Sequence, residues 1–252
     1  MSVGPAAGIR PALSIVIPAY REEERLPASL ARISEFLRSE PGLAGTEVIV
    51  VDDGSPDRTG DMAAEEGRRL GLALKVIRLS ENRGKGFAVR TGVLAASGDA
   101  ILVSDADLST PIEEWRKLAG AGAPIAIGSR AVDESTVKVR QSLYRQAVGR
   151  LFNRLVRLLV VPGIADTQCG FKLFCRDAAL AVFPRLAIDR FAWDVEALGV
   201  ARKLGYPVAE VPVLWFNSAD SRVTLAGGAH AYLDLLRIAF RLFRMKTDSA
   251  AR

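Results

Sequence analysis

Two aspartates one residue apart, Asp105 and Asp107, follow a short apolar run, Ala100 to Val103, in the stretch AILVSDADLSTPIEE. The run reads as a buried strand, and open α/β sheets bind ligands beyond the carboxyl ends of their strands. Two carboxylates at such an end are hard oxygen ligands, suited to Mg²⁺ or Mn²⁺ shared with the phosphates of a substrate. The same pattern also describes an ordinary acidic loop, so the segments around it must decide.

Other residues capable of chemistry fall at similar places. Pro18, Tyr20 and Glu22 follow one apolar run, and Asp52 and Asp53 follow another. A carboxylate there can accept from a pyrimidine N–H or from ribose hydroxyls, although Tyr20 could equally pack in the core and either aspartate could cap a helix. The run Asn82-Arg83-Gly84-Lys85-Gly86 is rich in glycine but lacks the GxxxxGK spacing of a Walker loop. Lys85 could meet a phosphate or could be a solvated lysine at a helix start. Arg130, after Gly128-Ser129, could grip a phosphate with two parallel hydrogen bonds. Asp194 and Glu196 open a helical stretch, where acids favour the dipole; contact with a sugar is the second reading.

The elements that must position these residues alternate. Strands are expected at Leu13–Ile17, Glu47–Val51, Leu74–Leu79, Ala100–Val103 and Ile125–Ile127. Helices are expected at 23–38, from Asp57 as cap to 70, at 82–96 and from Pro111. This order predicts an α/β fold with a mostly parallel sheet, right-handed crossovers and helices on both faces. The polar strand ends then gather along one edge. Beyond it, 166–176 reads as a turn and a short strand, 194–204 as a helix and 208–216 as a strand. Two amphipathic helices are expected, one over 139–161 with Arg150, Arg154 and Arg157 on one face. The other, over 230–246, carries Arg237, Arg241 and Arg244, with Leu235, Ile238, Leu242 and Met245 nearby. The division is a tail at 1–12, one main domain at 13–225, and a C-terminal amphipathic helix and tail at 226–252.

The totals agree with a folded enzyme-sized chain. Of 252 residues, 49% are hydrophobic, enough for a large core and against global disorder. The net charge of +5 suits phosphate-rich ligands, anionic membranes or nucleic acid. Cys169 and Cys175 form no CxxC pattern, which argues against a zinc site and a disulfide framework and fits a reducing compartment. No stretch has signal-peptide or membrane-spanning character.

Taken together, IPAYREEERLP, VVDDGSPD, NRGKGFAVRTG, SDADLSTP, IGSR and DTQCGFKLF, in this order, resemble the inverting nucleotide-sugar glycosyltransferases of the GT-A fold. Within them the resemblance is to the dolichyl- and polyprenyl-phosphate sugar synthases, above all the β-glucosyl branch, and it covers about Leu13 to Val223. It implies a Rossmann-like GT-A sheet and a nucleotide site at Pro18, Tyr20, Glu22, Asp52 and Asp53. It implies a metal pair at Asp105 and Asp107. Lys85, Arg130, Gln168 and Arg222 are implied on the substrate, with Arg222 at a position often basic in the family. Asp107, Arg130 and Asp166 are the implied catalytic residues, Asp166 as a base or an orienting group, although a turn-forming Asp is the alternative. Where the family usually has Asn after the tyrosine, this chain has Arg21.

The implied reaction transfers a hexose, glucose from UDP-glucose, to a dolichyl or polyprenyl phosphate with inversion. A lipid phosphate is ionised near neutral pH, so electrostatic positioning should dominate over proton transfer. The alternatives are mannosyl transfer from GDP-mannose, transfer to a soluble acceptor, and a non-catalytic nucleotide-binding scaffold at a membrane. Nucleic acid is the weakest partner, because the arginines lie on helical stripes without a nucleic-acid motif. The two arginine-striped helices are expected to hold the protein peripherally at the cytoplasmic face of a membrane. No motif fixes an oligomeric state.

Overall fold

The computed structural model of the chain describes residues 11–131, 154–216 and 225–245, with side chains of the last stretch from 232 onward. Seven strands form one sheet in the order β3-β2-β1-β4-β6-β5-β7. They are β1 (Leu13–Ala19), β2 (Glu47–Asp52), β3 (Ala73–Arg78), β4 (Ala100–Val103), β5 (Ile125–Ser129), β6 (Lys172–Cys175) and β7 (Val208–Pro212). The helices are α1 (Leu26–Ser39), α2 (Thr59–Leu70), α3 (Lys85–Ala95), α4 (Trp115–Gly120), α5 (Arg176–Val182), α6 (Trp193–Lys203) and α7 (Leu225–Arg244).

β1 pairs in parallel with both β2 and β4, and β2 with β3. The strand order therefore reverses at β1, and the crevice between the ends of β1 and β4 is where such sheets bind ligands. β6 runs antiparallel between β4 and β5, with Lys172 opposite both Val103 and Ile127. It thus begins at the edge where β4 and β5 end. The segment leading into β6 is delivered to the carboxyl edge by this one reversal.

Strand side chains alternate between two cores, as the two-residue period requires. Val16, Ile49, Val51, Ile101 and Val103 pack with α3, α6 and α7. Ile15, Ile17, Val48, Val50 and Leu102 pack with α1, α2 and α4. With both faces covered, the strands are continuous apolar runs.

Several expected boundaries move for local reasons. α1 starts at Leu26, with Pro27 in its first turn, where a missing N–H costs nothing. Asp57 closes a side-chain turn onto the Thr59 N–H (3.1 Å) and hydroxyl (2.5 Å), and Arg58 occupies the cap position. The strand expected over 208–216 ends at Pro212, where its pairing with Ser129 runs out. α5 follows β6 directly and was not foreseen. Of the helix expected over 139–161, residues 154–161 are described, and they are helical over 154–159. No helix among the described residues is long and apolar enough to cross a membrane.

α7 turns one side inward: Leu235, Ile238 and Leu242 belong to the same buried cluster as residues of α3 and α6. Its outward apolar face is Leu233, Leu236, Phe240 and Phe243, the last 85% exposed.

Candidate active site

β4 ends in a short turn that carries both aspartates. Ser104 N–H donates to Val16 O (3.0 Å), which fixes the turn to β1. Ser29 of α1 donates its hydroxyl to Ala106 O (2.6 Å) from the other side. Asp107 Oδ1 accepts the Ser109 N–H (2.9 Å), and Leu108 adopts a left-handed backbone with φ 47°. Left-handed non-glycine residues cost roughly 1–3 kcal/mol and persist where the surroundings over-determine them. Arg21, at the end of β1, is the other such residue, with φ 58°. Asn tolerates this conformation better than Arg, a backbone reason for the Asn that the resemblance implies at that position.

Lys85, the first residue of α3, reaches across to Asp105, with Nζ 2.5 Å from Oδ1. Burial works against both charges, but each sustains the other. The Asp105 carboxylate, with Asp194 and Asp107 adding to it, holds the Lys85 ammonium above its ordinary value. Lys85, then Lys172 and Arg130, hold the Asp105 carboxyl below its ordinary value against the effect of burial. A β-carbon on Gly170 would lie 2.2 Å from Asp105 Oδ2, so the chain entering β6 passes directly against this carboxylate.

Arg130 continues from β5 onto Asp166. Its Nε donates to Oδ2 (2.7 Å), Nη2 to Oδ1 (3.0 Å) and its backbone N–H to Oδ2 (3.0 Å). Gln168 N–H adds a fourth hydrogen bond to Asp166 Oδ1 (3.1 Å). Asp166 is itself buried, and Glu210 of β7 accepts its N–H (2.7 Å) and that of Ala165 (2.9 Å). Burial alone would raise the Asp166 carboxyl; Arg130 outweighs it and holds it below the usual range. A carboxylate so engaged is a weak proton acceptor and a firm anchor. The Trp215 ring lies 5.3 Å from the Arg130 guanidinium carbon. Gln168 is brought alongside through its backbone, and its side chain is exposed.

The other sequence candidates divide. The ends of β1 and β2 are stitched together: Asp53 N–H donates to Ala19 O (2.8 Å), Arg21 N–H to Ser55 Oγ (3.0 Å) and Glu22 N–H to Thr59 Oγ1 (2.8 Å). Pro18 and Tyr20 are half-buried there, and the Glu22 carboxylate is held by Arg25 (2.8 and 3.0 Å). Asp52 is buried and closes a turn onto Ser55 N–H (3.0 Å). Asp53 accepts the N–H groups of Arg83 and Gly84 (2.8 Å each) and the Asn82 amide (3.0 Å). It therefore organises the loop that carries Lys85. Burial, with a smaller push from Asp52, raises the Asp53 carboxyl despite those donors. Arg222 lies outside the described residues.

Two further residues belong to this edge: Lys172, which the sequence reading passed over, and Asp194, read there as a helix-opening acid with sugar contact as the second reading. Lys172, fully buried at the start of β6, donates to Cys169 O and stands 3.9 Å from Asp194 Oδ2. Its charge is felt by Asp105, Asp166 and Asp194. Asp194 faces this cluster rather than acting as a helix cap, and burial raises its carboxyl above the ordinary value. The signal was a lysine inside an apolar strand, a residue almost never buried unless paired.

This edge, with its carboxylates and its fixed cations, is built on a sheet that other proteins share. The sequence model described as Glycosyl transferase family 2 matches residues 14–183. The chain belongs to glycosyl transferase family 2. Within the family it is 43% identical over 227 residues to dolichyl-phosphate β-glucosyltransferase of Drosophila melanogaster, covering 84% of this chain and 69% of that one. The human protein of the same name is 40% identical over 224 residues, with the same coverage. Among solved structures, glucosyl-3-phosphoglycerate synthase from Mycobacterium tuberculosis in complex with UDP superposes with a TM-score of 0.65 at 20% identity, over 95% of this chain and 82% of that one. Mannosyl-3-phosphoglycerate synthase from Rubrobacter xylanophilus gives 0.70 at 18% identity, over 96% and 78%. These structures share the fold expected from the sequence, a GT-A, Rossmann-like, mostly parallel sheet. The family membership makes the chain a glycosyltransferase.

Proposed function

We propose that the protein transfers glucose from UDP-glucose to a dolichyl or polyprenyl phosphate with inversion, forming a β-linked lipid phosphosugar. The relatives above carry that acceptor and that linkage in their names, and a UDP complex exists on the same fold. The observation that carries the reading is the state of Asp166. It is buried, and its two oxygens accept three hydrogen bonds from Arg130 and one from Gln168. A sugar alcohol would require a base there, whereas a phosphate acceptor with its second pKa near ~6 arrives already ionised.

The residues present fit a divalent metal. Asp105 Oδ2 and Asp107 Oδ2 have no hydrogen-bond partner among the described residues, because Lys85 and Ser109 engage only the Oδ1 atoms. Two anionic hard oxygens at one strand end suit Mg²⁺ or Mn²⁺ completed by substrate phosphates. Structures of the M. tuberculosis synthase contain Mg²⁺ or Mn²⁺ with UDP. A metal held there would neutralise the charge that develops on the departing nucleoside diphosphate. Lys85 and Arg130 supply fixed positive charge on either side of Asp105, so the two anionic reactants are held close against their repulsion.

Approach to the lipid falls to α7. Leu233, Leu236, Phe240 and Phe243 face outward, with the Arg237 and Arg244 side chains on the same helix. Such a face lies in a membrane interface, with about 1 kcal/mol contributed by each basic residue near an anionic leaflet. The reading places the protein peripherally at the cytoplasmic face of a membrane.

The test is transfer from radiolabelled UDP-glucose to a short polyprenyl phosphate with Mg²⁺ or Mn²⁺, with GDP-mannose alongside. A labelled lipid from UDP-glucose is expected. Product from GDP-mannose alone would move the enzyme to the mannosyl branch. UDP-glucose turnover without lipid product would point to a soluble acceptor and overturn the lipid reading.

A further inference from the structure

A continuous set of contacts runs from α7 to the loop that holds Lys85. Its first member is Glu196 of α6, whose side chain is 2% exposed. Glu196 Oε1 accepts from Arg241 of α7, and Oε2 accepts the N–H groups of Ala187 (2.9 Å) and Ile188 (2.8 Å). Arg241 also donates from Nη2 to Arg185 O (3.1 Å). The stretch 185–188 is therefore fixed on one side by α6 and α7.

The same stretch is fixed on its other side by α3 and the loop before it. Arg90 donates to Leu186 O (2.7 Å) and to Asp189 Oδ1 (3.1 Å). Arg83 reaches Asp189 Oδ2 (3.4 Å) while its guanidinium stacks 3.7 Å from the Phe87 ring. Phe87 N–H donates to Asp189 O (3.0 Å). Gly84, with φ +107°, and Gly86 allow the close approach: a β-carbon on either would lie 2.5 Å from Asp189 O or Ile188 O. The far end of this loop is the Asn82-Arg83-Gly84 cradle around Asp53, and its next residue is Lys85 on Asp105.

We propose that Arg241, Glu196 and Asp189 are positioning residues of the donor site. They clamp 185–190 against the 82–87 loop, so that the seating of α7 sets how Lys85 and the Asp53 cradle meet the nucleotide. Arg241 and Asp189 are not among the residues placed on the substrate above, and Glu196, for which sugar contact was the second reading, is engaged instead by Arg241 and the 187–188 backbone. The physical basis is that Glu196 has few ways to be satisfied in its buried place. Without Arg241 its charge keeps two backbone donors and loses its cation, which is costly for a buried ion. The stretch it holds then relaxes, and the loop that leans on it through Asp189 follows. The inference rests on the reading that this edge binds a UDP-sugar.

The test uses the full chain and variants Arg241→Ala, Arg241→Lys and Asp189→Asn, with Arg69→Ala on α2 as a remote control. UDP affinity is measured by calorimetry with Mn²⁺, KM and kcat with UDP-glucose, and amide exchange across 82–90. For Arg241→Ala and Asp189→Asn, UDP affinity falls and KM rises by about five- to tenfold, with kcat changed less than about twofold. Exchange at the Phe87 amide accelerates, and Arg241→Lys recovers most of the loss. A lowered unfolding temperature with unchanged UDP affinity and unchanged Phe87 exchange would mean that the contacts serve stability alone and would overturn the coupling. If the wild-type chain does not bind UDP, the donor reading fails and the coupling with it. If it binds UDP and the variants bind equally well, the coupling fails alone.

Discussion

Arg130 and Asp166 form a bidentate pair, Nε to Oδ2 at 2.7 Å and Nη2 to Oδ1 at 3.0 Å, with one partner buried and the other at the rim. The pair accounts for the buried carboxylate at this edge: Asp166 orients Arg130, which in the proposed reaction meets the substrate phosphates. Asp166→Asn retains an acceptor but loses the charge, and kcat should fall by about 10²-fold, the scale for one misplaced electrostatic donor. Asp166→Ala leaves Arg130 half-buried without its anion and should cost about 3–5 kcal/mol of stability. Arg130 depresses the folded-state pKa of Asp166 against burial. Its stabilisation is therefore present above the unfolded value of ~3.9 and is lost as pH falls through the lower folded value. Acid unfolding below that pH should show a component in the wild type that Asp166→Asn lacks. A kcat that instead collapsed in Asp166→Asn and returned at high pH would identify a base and contradict the anchoring role.

Gly170 is the glycine packed directly against Asp105. Its β-carbon position lies 2.2 Å from Asp105 Oδ2 and 2.5 Å from Oδ1. Gly170→Ala must displace the carboxylate or the strand entry. Activity should drop by roughly 10²-fold, since a shift of about 1 Å at a site carries that cost. The unfolding midpoint should move much less than the rate, and wild-type kcat in Gly170→Ala would refute the contact.

Chelation provides a third check. EDTA should abolish transfer and added Mn²⁺ should restore it, while Asp107→Ala should remain inactive at any Mn²⁺ concentration used. Intrinsic tryptophan fluorescence should report an unchanged fold in EDTA, because the turn that carries the two aspartates is held at its backbone by the Ser29 hydroxyl and Val16 O. Full activity in EDTA would remove the metal from the proposal.

The outward face of α7 can be tested apart from the chemistry. Phe243 is 85% exposed and Phe240 60% exposed, whereas Leu235, Ile238 and Leu242 on the opposite side are buried. Phe240→Ser with Phe243→Ser should leave the unfolding temperature nearly unchanged and weaken co-sedimentation with vesicles containing anionic lipid. Ile238→Ala should instead destabilise by about 2–5 kcal/mol. Vesicle binding that survived the double serine variant would assign the lipid contact to another surface.

The sequence by itself determined the βα alternation, the apolar strands and the polar residues at their ends, including Asp105 and Asp107 after β4. These are local properties: a strand's apolar run, a two- or 3.6-residue period and a turn-forming cluster are written in consecutive residues. Tertiary structure alone decided which of the polar ends met. The antiparallel insertion of β6 between β4 and β5 brings Gly170 and Lys172 to Asp105, joining residues more than sixty positions apart. It decided that Asp194 faces Lys172 instead of capping a helix, and that Asp53 cradles a loop through three donors. It also decided which side of α7 is core. That helix has apolar residues on two faces, so its periodicity specifies a helix without saying which stripe turns inward. Contact with α6 made that choice: Leu242 fills the space left by Gly199, and Arg241 pairs with Glu196.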